Sequence, residues 1–168
     1  RNIITSVKNH FNKQNYDEAL SFMKNEKQSL GLKTRKAIAD LPTVVSSWSN
    51  HYNSWKKMNK NYLLIKYENL LDDKNYEFSK IINYLKENLN ISFDEETVAK
   101  AIESCNFEKL KDQEEKDGFK EAAEDLNGGV KKFFFMGPKN NWKNLLDKNT
   151  VQNIENAFRN EMIDLGYL

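Results

Sequence analysis

One short segment near the end of the chain limits the fold more than any other: Phe133-Phe134-Phe135-Met136-Gly137-Pro138-Lys139-Asn140-Asn141-Trp142. Gly tolerates unusual dihedral angles and Pro lacks a backbone N–H, so the Gly137-Pro138 pair interrupts both helix and strand. The segment is therefore predicted to be a loop that large aromatic rings anchor at both ends. Such a loop either plugs the hydrophobic core or covers a ligand, and the residue types alone favour the plug.

The composition excludes several classes of function. The 168 residues are enough for one domain with a core. Lys+Arg 26 against Asp+Glu 25 gives a net charge of +1, so we expect no nucleic-acid partner. The longest apolar run, Phe133–Met136, is too short for a membrane segment. One cysteine, Cys105, and two histidines argue against a metal site, and the single cysteine favours the reducing cytoplasm.

Helical spacing of apolar residues dominates the rest of the chain. It predicts helices from an Asn2 cap to about Asn12, over Tyr16–Lys27, loosely over Leu32–Leu41 between Gly31 and Pro42, from Thr43 through Trp55, over Tyr76–Glu87, after Asp94, after Phe107, and from Asp147 to Gly166. The charged, glycine-punctuated stretch Lys111–Lys132 is predicted to be mobile.

One apolar run has a different character. Tyr62–Tyr67 is short and almost continuous, which predicts a buried strand of a parallel sheet. A lone strand cannot satisfy its own backbone groups, so we expect the other strands to come from residues that precede Arg1. Tyr67 would then lie at the carboxyl end of the strand, either stacked on a flat ligand ring or packed in the core.

Five segments follow one another in an order and spacing that can be compared with a known family. They are Arg1-Asn2-Ile3-Ile4-Thr5-Ser6, Trp48 to Trp55, Ile65 to Leu71, Cys105 to Leu110, and Gly137 to Asn144. In turn they resemble the R-x-P-(K/R)-D-x-x-x-S tail, the W-x-x-H-(V/Y)-x-x-W helix, the (I/F)-x-Y-E-D-L segment, the S-F-E-x-(M/L) corner and the R-K-G-x-x-G-D-W-(K/R)-N loop of sulfotransferases. These are the sulfotransferases that use 3′-phosphoadenosine 5′-phosphosulfate (PAPS).

The resemblance implies an α/β, P-loop-like parallel-sheet fold, of which residues 1–168 form the mostly helical C-terminal portion of a single domain. It implies transfer of a sulfuryl group from PAPS to a hydroxyl or amine of a small-molecule or glycan acceptor. The phosphosulfate-binding part and all catalytic residues would precede Arg1. We therefore expect the fragment alone to be inactive and to need no metal.

The same resemblance assigns a nucleotide-binding flank. Ser6 matches a serine at the 3′-phosphate, Tyr67 matches a residue at the adenine, and the corner that flanks both groups matches Cys105, Asn106 and Phe107. In the last of the five segments, which together with Phe135 and Met136 is called the late loop, Gly137 offers a closely approaching backbone and Lys139 a positive charge. The chain departs from the family where an Arg-Lys pair falls on Phe135 and Met136, which cannot neutralise a phosphate.

Two further expectations concern partners and alternatives. Thr150-Val151 with Glu155 resembles a short dimerisation segment of some family members, which makes a homodimer a candidate, although a normal last helix explains the same residues. The alternative functions are a helical interaction module with an aromatic plug, and a degenerate sulfotransferase fold that no longer binds PAPS.

Overall fold

The computed structural model of the protein is mostly helical and divides into two compact units. It describes residues 1–30, 43–58, 62–120, 122 and 128–168. The first unit comprises Arg1–Lys60 and Asn140–Leu168, and the second comprises Asn61–Lys139. The helix predicted over Leu32–Leu41, with its boundaries at Gly31 and Pro42, lies outside the described residues.

The first unit is built from short helices and one small sheet. In chain order its elements are α1 (Ile3–His10), α2 (Tyr16–Lys24), β1 (Ser29–Leu30), β2 (Thr43–Val44), α3 (Trp48–Lys57), α8 (Trp142–Leu145), α9 (Lys148–Ala157) and α10 (Arg159–Asp164). The two strands pair antiparallel, with Ser29 opposite Val44 and Leu30 opposite Thr43.

Its core forms where the apolar faces of four helices meet. The buried residues recur at spacings of three or four, as an inward helical stripe requires, and are Ile4, Val7, Ala19, Leu20, Met23, Ile154, Phe158 and Met162. Ile4 and Val7 confirm the predicted inward face of α1, whereas Ile3 and Phe11 are exposed. The stripe predicted for the end of the chain is confirmed at Ile154, Phe158 and Met162.

Helix ends in the first unit follow local polar signals in most places. Asp147 caps α9 as predicted, because its carboxylate accepts a hydrogen bond from the Thr150 N–H at 2.8 Å. Gly166 closes the last turn with a φ of +71°, also as predicted. The single last helix that we predicted is in fact two, because Phe158, with φ −124° and ψ 28°, separates α9 from α10.

One predicted helix start lacks its capping bond, and another is wrong. Helix α1 begins at Ile3, directly after Asn2, as predicted. Asn2 makes no capping hydrogen bond to α1, because its side-chain oxygen accepts instead from the Trp142 N–H at 2.9 Å. Helix α3 begins at Trp48 rather than Thr43, since Thr43 and Val44 pair with β1. Ser47 provides the cap, and its side chain accepts from the Asn50 N–H.

The second unit contains four helices among its described residues, namely α4 (Tyr67–Asp72), α5 (Lys74–Leu89), α6 (Glu95–Ser104) and α7 (Phe107–Asp117). Asp94 caps α6 as predicted, and Asn106 caps α7. Helix α7 extends well into the stretch that was predicted to be mobile, so its first part is regular structure. A 3₁₀ turn over Gly137–Lys139 lies just after the three consecutive phenylalanines Phe133–Phe135, which are called the aromatic segment below.

The strand predicted over Tyr62–Tyr67 does not form. Residues 62–66 have no regular structure, and Tyr67 begins α4. A strand needs neighbours to bond its backbone, and the sheet among the described residues is the antiparallel pair of the first unit. The helical part of the predicted fold is confirmed, whereas the P-loop-like parallel sheet stays a prediction.

Candidate functional site

Three residues that are distant in sequence meet in the second unit, at the turn formed by Gly137. Tyr67, the first residue of α4, donates a hydrogen bond from its hydroxyl to the Gly137 carbonyl at 3.3 Å. The ring of Phe107, the first residue of α7, lies directly beside the Gly137 backbone. The structure thus brings together Tyr67, Phe107 and Gly137, which the sequence assigned to one site.

The contact between Gly137 and Phe107 is possible because residue 137 has no side chain. A Cβ atom built at this position would lie 2.5 Å from the Phe107 ring, which is closer than side chains pack. The φ angle of +50° also falls in the left-handed region that favours glycine. Both features indicate that the backbone approaches its neighbours closely at this turn.

Tyr67 keeps part of its ring accessible beside this turn. Its relative exposure is 43%. Burial of the remainder raises the pKa of the Tyr67 phenol, and the negative charge of Glu68 raises it further. The phenol therefore remains a neutral hydrogen-bond donor at neutral pH, as the bond to Gly137 requires.

The corner before α7 has a structural use for each of its residues. The Asn106 side chain accepts a hydrogen bond from the Glu108 N–H at 3.0 Å and so caps the helix. Cys105 is exposed and ends α6. The Phe107 ring also packs edge-on against Phe134, with centroids 6.3 Å apart. The predicted roles of these residues toward a nucleotide remain proposals.

The aromatic segment is held by ring packing and by hydrogen bonds to the Glu114 carboxylate. Phe133 and Phe134 pack on each other with centroids 5.2 Å apart, and the Phe119 ring lies 4.6 Å from Phe133. The N–H groups of Phe133 and Phe134 both donate to Glu114 of α7, at 2.6 and 2.9 Å. Phe133 and Phe134 are half-buried against these neighbours, and neither belongs to the buried core of the described residues, so the predicted core plug stays a prediction.

Sequence reasoning missed Glu114, although its spacing carried a signal. Phe107, Leu110 and Glu114 recur at intervals of three and four, which places the glutamate on the inward stripe of α7. Glu114 is only 6% exposed. We did not single it out because the charged stretch around it was predicted to be mobile rather than helical.

The rest of the late loop turns outward. Phe135 is 57% exposed and Met136 is half-buried, so the pair that replaces the family's cations is partly open to solvent. Lys139, the last residue of the 3₁₀ turn, is exposed, and its N–H donates to the Met136 carbonyl at 3.0 Å. The turn therefore presents one cation close to Gly137.

Ser6 belongs to the first unit and lies in the first turns of α1, as predicted. The start of this helix is tied to the far end of the late loop, because the Asn140 side-chain amide donates to the Asn2 carbonyl at 3.1 Å. Trp142 is pinned beside it, with the Arg1 guanidinium 4.7 Å from the ring centroid. This agrees with the prediction that large aromatic rings, here that of Trp142, anchor the ends of the loop.

The described residues contain neither a cluster suited to a metal ion nor a helix suited to a bilayer. Within residues 1–30, 43–58, 62–120, 122 and 128–168, no cluster of three or more His, Cys, Asp or Glu side chains is arranged to hold a metal. In the same ranges no helix combines the length and the apolar character needed to cross a bilayer.

Comparison with known proteins gives one family. The family model described as "Sulfotransferase domain" matches residues 1–166. The chain is 26% identical over 118 residues to "Sulfotransferase 1B1" of Canis lupus familiaris, covering 69% of this chain and 38% of that protein. It is 28% identical over 100 residues to "Sulfotransferase 1C2" of Rattus norvegicus, covering 58% of this chain and 32% of that protein. The chain thus spans well under half the length of these relatives, and no solved structure matches it.

Proposed function

The chain belongs to the sulfotransferase family, and from this premise we propose that it forms the nucleotide-binding flank and lid of a PAPS-dependent enzyme. The reaction moves a sulfuryl group from PAPS to a hydroxyl or amine of a small-molecule or glycan acceptor. Charge spreads over the oxygens of the transferred group, so positioning and electrostatic stabilisation carry most of the catalysis, as in phosphoryl transfer.

The single observation that carries this proposal is the convergence at Gly137. Tyr67, Phe107 and Gly137 are separated by up to 70 residues, yet one hydrogen bond and one ring contact join them. A glycine turn that lets the backbone approach closely, beside an accessible aromatic ring, suits the recognition of an adenine nucleotide. The observed contacts therefore fit the cofactor that the family uses.

Each proposed role follows from the chemistry of the side chain. The accessible face of Tyr67 stacks on the adenine, and Lys139 supplies the positive charge that Phe135 and Met136 cannot. Ser6 donates a hydrogen bond to the 3′-phosphate near the N-terminal end of α1, where the helix dipole favours an anion. Cys105, Asn106 and Phe107 form the corner beside the nucleotide.

We assign no catalytic residue to this chain. The P-loop pattern G-x-x-x-x-G-K-(S/T) does not occur in the 168 residues, and no acceptor base can be assigned. We propose that both are supplied by the part of the enzyme that precedes Arg1, and that the protein acts in the cytoplasm without nucleic acid. A homodimer through the Thr150–Glu155 segment remains a secondary proposal.

Calorimetry with 3′-phosphoadenosine 5′-phosphate and the natural full-length protein tests the proposal. We expect Lys139→Ala and Ser6→Ala each to weaken binding by roughly ten- to a hundredfold, the usual effect of losing one hydrogen bond to a charged group. Lys100→Ala is the matched control, because Lys100 is an exposed lysine of α6 that pairs with Glu96.

Two outcomes would contradict the proposal. If the wild-type protein shows no binding of the nucleotide, the helical interaction module and the degenerate fold remain as explanations. If the wild-type protein binds but Lys139→Ala binds equally well, the assignment of Lys139 is wrong, and the phosphate is recognised elsewhere.

A further inference from the structure

A glutamate holds the aromatic segment through its backbone rather than through its side chains. Glu114 Oε1 accepts the Phe133 N–H at 2.6 Å, and Glu114 Oε2 accepts the Phe134 N–H at 2.9 Å. Both carboxylate oxygens are thus engaged by consecutive residues of one segment. A bidentate arrangement of this kind fixes the direction of the chain as well as its position.

The glutamate is buried at the point where it makes these bonds. Its relative exposure is 6%, in a helix whose other acidic residues, such as Glu108 and Glu115, are exposed. A carboxylate is costly to bury unless hydrogen bonds replace its water. The two N–H groups provide that replacement, so the position of Glu114 is tied to the aromatic segment.

The segment leads directly into the proposed nucleotide site. Phe134 is three residues before Gly137, and its ring touches the Phe107 ring on which Gly137 rests. The Phe135 N–H bonds to the Phe133 carbonyl at 3.0 Å, which continues the turn toward Gly137. A shift of the backbone at Phe133 and Phe134 would therefore displace the turn that carries Gly137 and Lys139.

We infer that Glu114 is a positioning residue, which holds the Gly137–Lys139 turn in its nucleotide-binding place by accepting the N–H groups of Phe133 and Phe134. It does not touch the nucleotide itself. This inference rests on the proposed function for its effect on binding, and on the two hydrogen bonds alone for its effect on the loop.

The test compares Glu114→Gln with Asp112→Asn in the natural full-length protein. A glutamine keeps the size of the side chain, but its amide nitrogen is a donor and cannot accept one of the two N–H groups. We expect Glu114→Gln to speed amide hydrogen exchange at Phe133 and Phe134. We also expect it to weaken 3′-phosphoadenosine 5′-phosphate binding by roughly tenfold. Asp112→Asn alters an exposed carboxylate of the same helix and leaves both measurements unchanged.

Steady-state kinetics separates positioning from general support of the fold. The KM for PAPS rises in Glu114→Gln while the KM for the acceptor stays constant, a split that a loss of folded protein does not produce. If Glu114→Gln does not fold, Glu114→Asp, which keeps the carboxylate on a shorter stem, replaces it with the same expected direction.

The outcomes separate this inference from the proposed function. Wild-type nucleotide affinity in the Glu114 variant overturns the inference, as does unchanged exchange at Phe133 and Phe134. Absence of nucleotide binding by the wild-type protein overturns the proposed function, while faster exchange in the variant would still support the loop-holding role.

Discussion

At the scale of single residues, Gly137 is the position where the smallest chemical change should have the largest effect. Among the other glycines with positive φ angles are Gly118, at +72°, and Gly128, at +81°. A Cβ added at either of them would meet nothing within 4 Å, whereas at Gly137 it would meet the Phe107 ring. Of these three glycines, Gly137 is the one where a side chain would meet both backbone strain and a collision with a neighbouring ring.

Substitution by alanine separates these two effects. Gly128→Ala should cost about 1 kcal/mol of stability from backbone strain, and Gly137→Ala should cost about 1–3 kcal/mol more from overpacking. Urea denaturation followed by circular dichroism measures both. Equal losses in the two variants would mean that the Phe107 ring moves aside freely.

Asp164 of α10 makes the stability of the first unit sensitive to acid. The Lys56 ammonium and the Tyr52 hydroxyl both donate to its Oδ2 at 2.5 Å. The hydrogen bond from Lys56, with that from Tyr52, holds the pKa of Asp164 below its usual value. A carboxylate with a lowered folded pKa contributes stability above its unfolded pKa and loses it as the pH falls through the folded value.

Asp164→Asn should therefore lower the melting temperature at pH 7. The difference from wild type should shrink as the pH falls below about 4, where the unfolded carboxyl becomes protonated. Thermal scans between pH 2 and pH 7 measure this difference. Glu26→Gln removes an exposed carboxylate of the same unit and serves as the control. A difference that is independent of pH would refute the linkage.

At the scale of helices and strands, local capping chemistry explains which boundaries were predictable. Asp94 and Asp147 each bond an N–H three residues ahead, so the sequence neighbourhood suffices to recognise them. Asn2 looks the same in sequence, but its side chain bonds Trp142, a partner 140 residues away. A residue with such a remote partner cannot be distinguished by local pattern.

Asn106 offers a direct measurement of a cap, because its side chain bonds the Glu108 N–H at the start of α7. Asn106→Ala should destabilise the protein by about 1 kcal/mol, while Asn106→Asp, which retains an acceptor oxygen, should be close to neutral. Chemical denaturation of the three proteins measures the difference. If alanine and aspartate cost the same, the side chain contributes through something other than the cap.

The strand prediction failed for a different reason. A run such as Tyr62–Tyr67 becomes a strand only when neighbours bond its backbone, and the described part of the chain supplies none. Val44 was predicted to be helical because it is apolar, but it lies in β2 and pairs with Ser29 of β1. Apolar spacing identifies a buried face more reliably than it identifies the backbone conformation that presents it.

At the scale of the whole molecule, the described hydrophobic core belongs to the first unit. Its fully buried apolar residues come from both ends of the chain, including Ile4 of α1 and Phe158 between α9 and α10. In the second unit the buried side chains among the described residues are Glu77 and Glu114. The apolar contacts described for the second unit, such as those between Phe119 and Phe133, are therefore made by half-buried side chains.

Substitution of Phe158 tests that core most directly. Its side chain is 3% exposed and packs edge-on against Trp48, with ring centroids 5.1 Å apart. Phe158→Ala should cost about 3–5 kcal/mol through the cavity it leaves. Ile163→Ala, at a residue 51% exposed in α10, should cost well under half as much. Near-ultraviolet circular dichroism, which reports the Trp48 environment, follows both unfolding transitions.

The sequence predicted only those residues of the candidate site that belong to recognisable motifs. Tyr67, Phe107 and Gly137 were singled out beforehand, and the contacts among them are present. Glu114 was not, because the charged stretch that contains it was predicted to be mobile rather than helical. The bonds that it makes depend on a segment almost 20 residues later, which only the folded chain brings near.

The bond between Asn2 and the Trp142 N–H also has a consequence for the order of events during synthesis. The ribosome adds about 5–20 residues per second, so the partner of Asn2 emerges on the order of ten seconds after it. The second unit, by contrast, is one continuous stretch between the two halves of the first. We therefore expect the second unit to acquire its own contacts before the bond between Asn2 and Trp142 can form.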